Sequence, residues 1–172
     1  MLLAASFFWG TTFVAQVVGM EGLGPYSYAA LRFALGAACL TLLWVLYRGK
    51  RAQMRRAGTY RSGFRAGLPV GLAMFVGVTM QQVALLYTTA GKTAFITTLY
   101  IVLVPIGAAL LGQRIRPVNW IGAILAFLGV YFLSAYGSFD LNIGDVIVFV
   151  SAFFWMVQIL LIDRFARAVD GI

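Results

Sequence analysis

Histidine is absent from this 172-residue chain, and cysteine occurs once, as Cys39. A single cysteine cannot form a disulfide framework within the chain. The lack of histidine excludes His-based metal sites and catalysis by Cys–His or Ser–His pairs. The sequence therefore predicts no metal site and no cofactor. A membrane-embedded enzyme would need a catalytic carboxylate, histidine or cysteine at mid-depth in the membrane. Because the sequence shows none there, we do not expect an enzyme.

Charged residues are also scarce, at 10% of the chain against 62% hydrophobic residues, and the mean hydropathy is +0.93. This composition cannot supply the polar surface that a soluble domain of this length needs. The apolar residues instead form six runs, each long enough to cross a hydrocarbon core of ~30 Å at ~1.5 Å per residue. The runs are residues 2–20, 26–47, 67–87, 94–112, 118–136 and 144–162. We predict an all-α polytopic membrane protein with six transmembrane helices.

The positive charges alternate between connections. Seven of the thirteen cations lie in residues 48–65, and every second connection is rich in Lys and Arg. The positive-inside rule then puts both termini in the cytoplasm, an N-in/C-in topology in the cell inner membrane. A basic segment of this kind could also contact nucleic acid or anionic lipid. Because it lies between two spans, we interpret it as a topology signal and expect the lipid bilayer, not nucleic acid, as a partner.

An aromatic triplet occurs twice in matched positions. ASFFWG at residues 5–10 lies in the first span, and SAFFWM at 151–156 lies in the sixth. If the sixth span begins a second copy of a unit, the unit has five spans, and an odd number inverts the next copy. Inverted repeats are a common way to build a carrier with alternating access.

Several segments, in order, resemble the EamA-type carriers of the drug/metabolite transporter superfamily. These are LLAASFFWGTTFVA, GPYSYAALRFALGAACL, ALLYTTAGKTAFITTLYIVLVPIGAALLGQRI, NWIGAILAFLGVYFL and LNIGDVIVFVSAFFWMVQILLIDRF. The resemblance implies a ten-helix carrier of two inverted repeats that exports or exchanges small metabolites. It divides this chain into a first five-helix repeat, residues 1–136, and the start of a second repeat, residues 137–172. Gln113 departs from the pattern, because many members have Glu there.

A carrier site is expected near mid-membrane, where polar groups are costly and must be hydrogen-bonded or face a cavity. Helical spacing puts such residues on one face of the first, third and sixth spans. The predicted substrate-binding residues on these faces are Trp9, Thr12, Gln16, Gln81, Gln82, Trp155 and Gln158. Each glutamine is equally well explained by hydrogen bonding between helices. Small-residue spacing also predicts close helix contacts at Gly67, Gly71, Gly122 and Gly129.

Two cations complete the predicted site. Arg32 lies about two turns into the second span, where a charge costs at least ~2.5–3.5 kcal/mol on insertion scales. It either attracts an anionic group or gates the path, or it snorkels to the outer headgroups. Lys92, in an outer turn, either binds substrate or is solvated. No acidic residue lies deep within a span, so no proton-coupling site is evident.

The leading hypothesis is a truncated metabolite exporter or exchanger that binds a small molecule between its repeats. The alternative is a non-transporting membrane fragment, or a half-carrier that needs a second copy or its missing C-terminal half.

Overall fold

The computed structural model describes residues 2–47, 59–134 and 142–169, and within these ranges the regular structure is entirely helical. The helices are α1 (Leu2–Leu23), α2 (Pro25–Leu46), α3 (Thr59–Ala84), α4 (Ala90–Thr98), α5 (Tyr100–Leu110), α6 (Pro117–Ser134) and α7 (Ile143–Val169). The predicted boundary between the two repeats and residues 48–58 of the basic segment lie outside the described residues.

Four helical segments in the described ranges are long and apolar enough to cross a membrane by length and composition. They are Pro25–Leu46, Gly63–Ala84, Ala90–Leu110 and Ile143–Ala166, and α6 contains a shorter apolar stretch, Pro117–Gly129. This confirms an all-helical chain with several apolar helices of membrane-spanning length. The count of six spans and the N-in/C-in orientation stay predictions.

One of these spans is built from two helices, α4 and α5, which meet at Leu99. The Leu99 N–H donates to Ile96 O at 3.1 Å, a tighter turn than the regular α-helical pattern. One residue earlier, the Thr98 hydroxyl donates to Ala94 O at 2.7 Å, an interaction that often bends helices. The interruption therefore lies beside a back-bonded threonine, whereas Pro105 lies inside α5.

Helix α7 lies at the centre of the packing and contacts α3 most extensively, then α5 and α4. Three glycines allow these close approaches. A Cβ at Gly144 would lie 2.9 Å from Ala84 O, one at Gly107 would lie 2.9 Å from Leu160 Cδ1, and one at Gly77 would lie 3.3 Å from Phe154 Cβ. Small residues let helix backbones pack closely in a membrane bundle.

The predicted close contacts at four other glycines are wrong. The four are Gly67, Gly71, Gly122 and Gly129. A Cβ added at any of them would meet no atom of another described residue within 4 Å. The spacing rule identified small residues correctly, but these glycines are exposed and do not face a neighbouring helix in the described chain.

Helices α1 and α2 contact each other and are separated by a single residue, Gly24. Gly24 joins them with φ of 70°, a left-handed conformation that favours glycine, and Pro25 is the first residue of α2. Besides α2, helix α1 contacts α4, and this second contact forms the wall of a cavity.

Candidate functional site

A cavity of about 600 Å³ lies between α1 and the α4–α5 span. Its lining residues are Trp9, Gly10, Phe13, Val14, Ala90, Gly91, Ala94, Thr97, Thr98 and Tyr100. The α1 wall is mainly aromatic, whereas the α4 wall carries alanine, glycine and threonine. Because the α4 residues on this face are small, the two helices contact each other without filling the space between them. The hydroxyls of the threonines and the tyrosine add polar groups to an apolar surface.

The two copies of the aromatic triplet meet at one edge of this cavity. The rings of Trp9 and Trp155 lie 5.5 Å apart, centroid to centroid, at an interplanar angle of 69°, an edge-to-face arrangement. Trp155 is buried at 6% exposure, while Trp9 is 54% exposed and lines the cavity. Gly77 lies next to the buried ring, since a Cβ there would lie 3.6 Å from Trp155 Nε1, an ordinary contact distance.

Trp155 is packed between α1 and α3, yet its indole N–H has no hydrogen-bond partner among the described residues. An indole N–H in a buried position normally donates to an acceptor. This atom is therefore available to an acceptor that is not one of the described residues.

Gln81 connects α3 to the cavity wall. Its Nε2 donates to Thr97 Oγ1 at 2.7 Å, and both side chains are buried. The acceptor, Thr97, itself lines the cavity. A hydrogen bond between helices and a position near the cavity, the two interpretations of Gln81, are therefore compatible.

The other predicted amides differ from Gln81. Gln82 is 1% exposed, and neither its Nε2 nor its Oε1 has a hydrogen-bond partner in the described part of the chain. Gln16 is 3% exposed, and its Oε1 also has no hydrogen-bond partner there. Gln158 is half-buried on α7 and does not line the cavity. Thr12 is half-buried and donates its hydroxyl to Phe8 O at 2.9 Å, within its own helix. Gln16 and Gln82 are therefore stronger candidates than Thr12 and Gln158.

Arg32 is half-buried on α2 and is not among the cavity-lining residues. One terminal nitrogen, Nη1, is enclosed by protein and has no hydrogen-bond partner within residues 2–47, 59–134 and 142–169. A guanidinium that snorkels to headgroups would expose its terminal nitrogens. The enclosed Nη1 favours a role inside the protein.

Lys92 belongs to a second polar group, at the end of the bundle where α4 and α7 begin. Its Nζ lies 3.7 Å from Oδ2 of Asp145, and its side chain is 29% exposed against 3% for Asp145. Thr88 Oγ1 donates to Asp145 Oδ1 at 2.5 Å. We call Thr88, Lys92, Asn142 and Asp145 the Asp145 cluster. Lys92 is thus paired with a buried carboxylate and is not simply solvated.

Asp145 was missed by the sequence reasoning, which searched for acidic residues in the middle of spans. A signal was nevertheless present, because Asn142 and Asp145 have the spacing of a capping box. In the structure, Asn142 N donates to Asp145 Oδ2 and Asp145 N donates to Asn142 Oδ1, both at 3.1 Å. This reciprocal cap fixes the carboxylate at the first turn of α7, facing the turn between α3 and α4.

Replacing Gln81 by leucine is expected to destabilise the packing of α3 against α4 by about 1 kcal/mol, the range found for hydrogen bonds between membrane helices. The substitution removes the donor to Thr97. Thr97→Val should cost a similar amount, and the double variant little more than either single one, because both remove the same bond. Thermal unfolding in detergent micelles measures these differences. Additive losses would contradict a direct Gln81–Thr97 interaction.

The sequence profile of the EamA-like transporter family matches residues 1–135. An uncharacterized transporter of Archaeoglobus fulgidus is 34% identical over 169 residues, which cover 96% of this chain and 49% of that protein. A second one from the same organism is 27% identical over 99% of this chain and 58% of its own length. Uncharacterized transporter YyaM of Bacillus subtilis is 30% identical, over 99% of this chain and 56% of its own.

The chain thus spans about half the length of the curated relatives it matches. No solved structure matches it significantly. The family profile covers more than half of the chain, including both walls of the cavity and the whole of the α3–α4 turn. The chain belongs to the EamA-like transporter family.

Proposed function

We propose that this chain is part of a membrane carrier that exports or exchanges small metabolites across the cell inner membrane. The observation that carries the proposal is the cavity of about 600 Å³, whose lining residue Trp9 contacts Trp155, a buried side chain whose indole N–H has no partner in the described chain. Ligand pockets typically measure roughly 300–1,000 Å³ and combine apolar walls with a few polar groups. Membership of a transporter family and the names of the relatives support the same class.

The chemistry of the site suggests a substrate with an apolar body and both donor and acceptor groups. Trp9 and Phe13 supply aromatic surface. Gln82 Nε2 and Trp155 Nε1 are unpartnered donors, and Gln16 Oε1 is an unpartnered acceptor. Amino acids, nucleobases and organic cations have groups that fit these partners. Arg32 would add a positive potential that favours an anionic group.

The repeat hypothesis fits this location. In our proposal residues 1–136 are the first five-helix unit and residues 137–172 begin an inverted second unit. The contact between Trp9 and Trp155 supports it, because equivalent residues of the two copies then meet beside the substrate path. The remaining helices would come from the missing C-terminal half or from a second copy.

A half-carrier that needs a partner is the second candidate. Its support is the length of the relatives, about twice that of this chain, together with the 54% exposure of Trp9 at the cavity. An aromatic site residue that is half exposed is compatible with a further helix covering it.

Transport by the purified chain in liposomes distinguishes the candidates. We would load vesicles with radiolabelled leucine, adenine or choline and measure efflux. Vesicles that contain a carrier should release at least one compound faster than loaded vesicles without protein. Trp9→Ala should slow this release by about tenfold, the effect of losing ~1.4 kcal/mol of aromatic contact.

Leu40→Ala is the matched control, because Leu40 is 68% exposed on α2 and does not line the cavity. It should leave efflux unchanged. If every compound leaves at the same rate as from loaded vesicles without protein, transport by this chain alone is rejected. Recovery of efflux when two differently tagged copies are purified as one complex would then favour the half-carrier.

A further inference from the structure

We propose that the contact between Lys92 and Asp145 is a gate contact, which breaks when the carrier changes the side from which its cavity is accessible. The inference rests on the proposed transport function. It concerns Asp145, which lies outside the predicted substrate site, and a contact that joins the beginning of α7 to the first turn of α4.

The position of the contact gives it control over the cavity wall. Lys92 directly follows Ala90 and Gly91, which line the cavity from α4. Asp145 is on the helix that carries Trp155, whose ring contacts Trp9 of the opposite wall. A change in the distance between Lys92 and Asp145 therefore accompanies a movement of α4 relative to α7, and of one cavity wall relative to the aromatic pair.

The Asp145 carboxylate is satisfied without lysine. Oδ1 accepts from the Thr88 hydroxyl at 2.5 Å, and Oδ2 accepts from Asn142 N at 3.1 Å. Its position in the first turn of α7 is also favourable for a negative charge, because the N-terminus of a helix carries a partial positive charge. The carboxylate can stay in place when Lys92 moves away.

The charge of Lys92, unlike that of Asp145, is unfavourable at its place in the helix. It lies in the first turn of α4, where Thr89 caps the helix by accepting from Lys92 N at 3.2 Å. A positive side chain is unfavourable at a helix N-terminus. The carboxylate of Asp145 offsets this, so the lysine gains more from the pair than the aspartate does.

The geometry of the ion pair agrees with a contact that opens readily. The distance of 3.7 Å between Nζ and Oδ2 is longer than a direct hydrogen bond, and the lysine side chain is 29% exposed. A permanent structural link between buried charges would be shorter and fully enclosed. Thr88 and Asn142 instead hold the aspartate, so the contact can break when the first turn of α4 carries Lys92 away from it.

Cysteine labelling tests this proposal without a known substrate. Cys39→Ser removes the native cysteine, and Ala94→Cys places a reporter on the cavity wall. The chain is reconstituted in liposomes and labelled with a membrane-impermeant maleimide, added to the outside or enclosed inside. We expect Lys92→Gln to raise the labelling rate from one side by about two- to fivefold, the population change that a partly exposed ion pair supports.

Three further variants separate a gate from general loosening. Lys92→Arg retains the charge and should label like the parent. Asp145→Asn should raise labelling from the same side, and the double variant with Lys92→Gln should label no faster than the faster single variant. A control reporter, Glu21→Cys, lies near the end of α1 and is exposed, and its labelling rate should not change with Lys92→Gln.

An unchanged labelling rate in folded Lys92→Gln would overturn the gate proposal, as would an equal increase at the Glu21→Cys reporter. Elution of each variant as a monodisperse peak on size exclusion identifies the folded ones. The outcome is distinguishable from the efflux result: a one-sided increase in labelling with no efflux would reject transport by this chain alone and retain the gate contact.

Discussion

Replacing Gly144 by valine is expected to separate the beginning of α7 from α3 and to destabilise the fold by about 3 kcal/mol, the upper part of the usual range for overpacking. A Cβ at this position would lie 2.9 Å from Ala84 O and 2.9 Å from Tyr87 Cβ. The first of these atoms is backbone at the end of α3, so it cannot rotate away. The α3–α7 contact is the most extensive in the bundle, and one helix has to move. The midpoint of thermal unfolding, followed by tryptophan fluorescence in micelles, measures the loss.

Gly71→Val is the matched control for this prediction. Gly71 lies in α3, is exposed, and would meet no other atom within 4 Å after gaining a Cβ. Valine has a higher helix propensity than glycine, so this variant should be as stable as the parent or slightly more stable. Equal losses in the two variants would show that the Gly144 effect does not come from contact with α3.

These two glycines also show what the sequence could and could not predict. Spacing of small residues identifies glycines that are suitable for close packing, but it does not give the rotation of the helix about its axis. Gly71 is one of the glycines predicted to make close contacts and meets no neighbouring helix among the described residues, whereas Gly144 and Gly107 were not singled out and lie against α3 and α7. A glycine contact depends on the partner helix, and that information is distributed over the whole bundle.

The helical spans were predicted well, and their boundaries less well, for a reason visible at Lys92. The fourth span was expected to begin at residue 94 because Lys92 was assigned to a loop. In the structure Thr89 caps the helix, which begins at Ala90 and includes Lys92 in its first turn. Absence of charge marks the part of a helix that suits hydrocarbon, while capping groups mark where the helix begins. Lys92 lies in the turn between these two limits.

The repeated triplet was the more informative sequence signal. It marks Trp9 and Trp155, both predicted to bind substrate, as equivalent positions, and the two rings lie against each other. Their role in substrate binding stays a prediction. The burial of the amides could be expected from the cost of an unsatisfied amide in hydrocarbon. Which of them has a protein partner could not, because the bond from Gln81 to Thr97 depends on how α3 and α4 are rotated.

Trp155→Phe is expected to cost less stability than Trp155→Ala, because most of the ring is kept, and to weaken substrate binding by about two- to tenfold, the effect of one hydrogen bond worth roughly 0.5–1.5 kcal/mol. Phenylalanine keeps an aromatic ring between Trp9 and Gly77 but removes the indole N–H. In our proposal this unpartnered N–H donates to the substrate. The concentration dependence of efflux, with the compound that the parent chain transports, gives the change in apparent affinity. Trp155→Ala should instead destabilise the fold by about 3 kcal/mol, because it leaves a cavity at a buried position.

Comparison of Trp155→Phe with Trp155→Ala and Trp120→Phe shows whether a loss of affinity comes from the indole N–H of Trp155. Trp120→Phe removes an indole N–H from the first turn of α6, away from the cavity lining, and should change neither stability nor affinity. If Trp155→Phe transports with the affinity of the parent, its N–H does not contact the substrate, and the role of Trp155 is limited to packing against Trp9. If affinity falls while the unfolding midpoint is retained, packing alone cannot explain the loss. Phenylalanine also lacks the second ring of indole, so a retained unfolding midpoint is what assigns the loss of affinity to the donor. That result would support a substrate within hydrogen-bonding distance of α7, beside the contact between the two FFW copies.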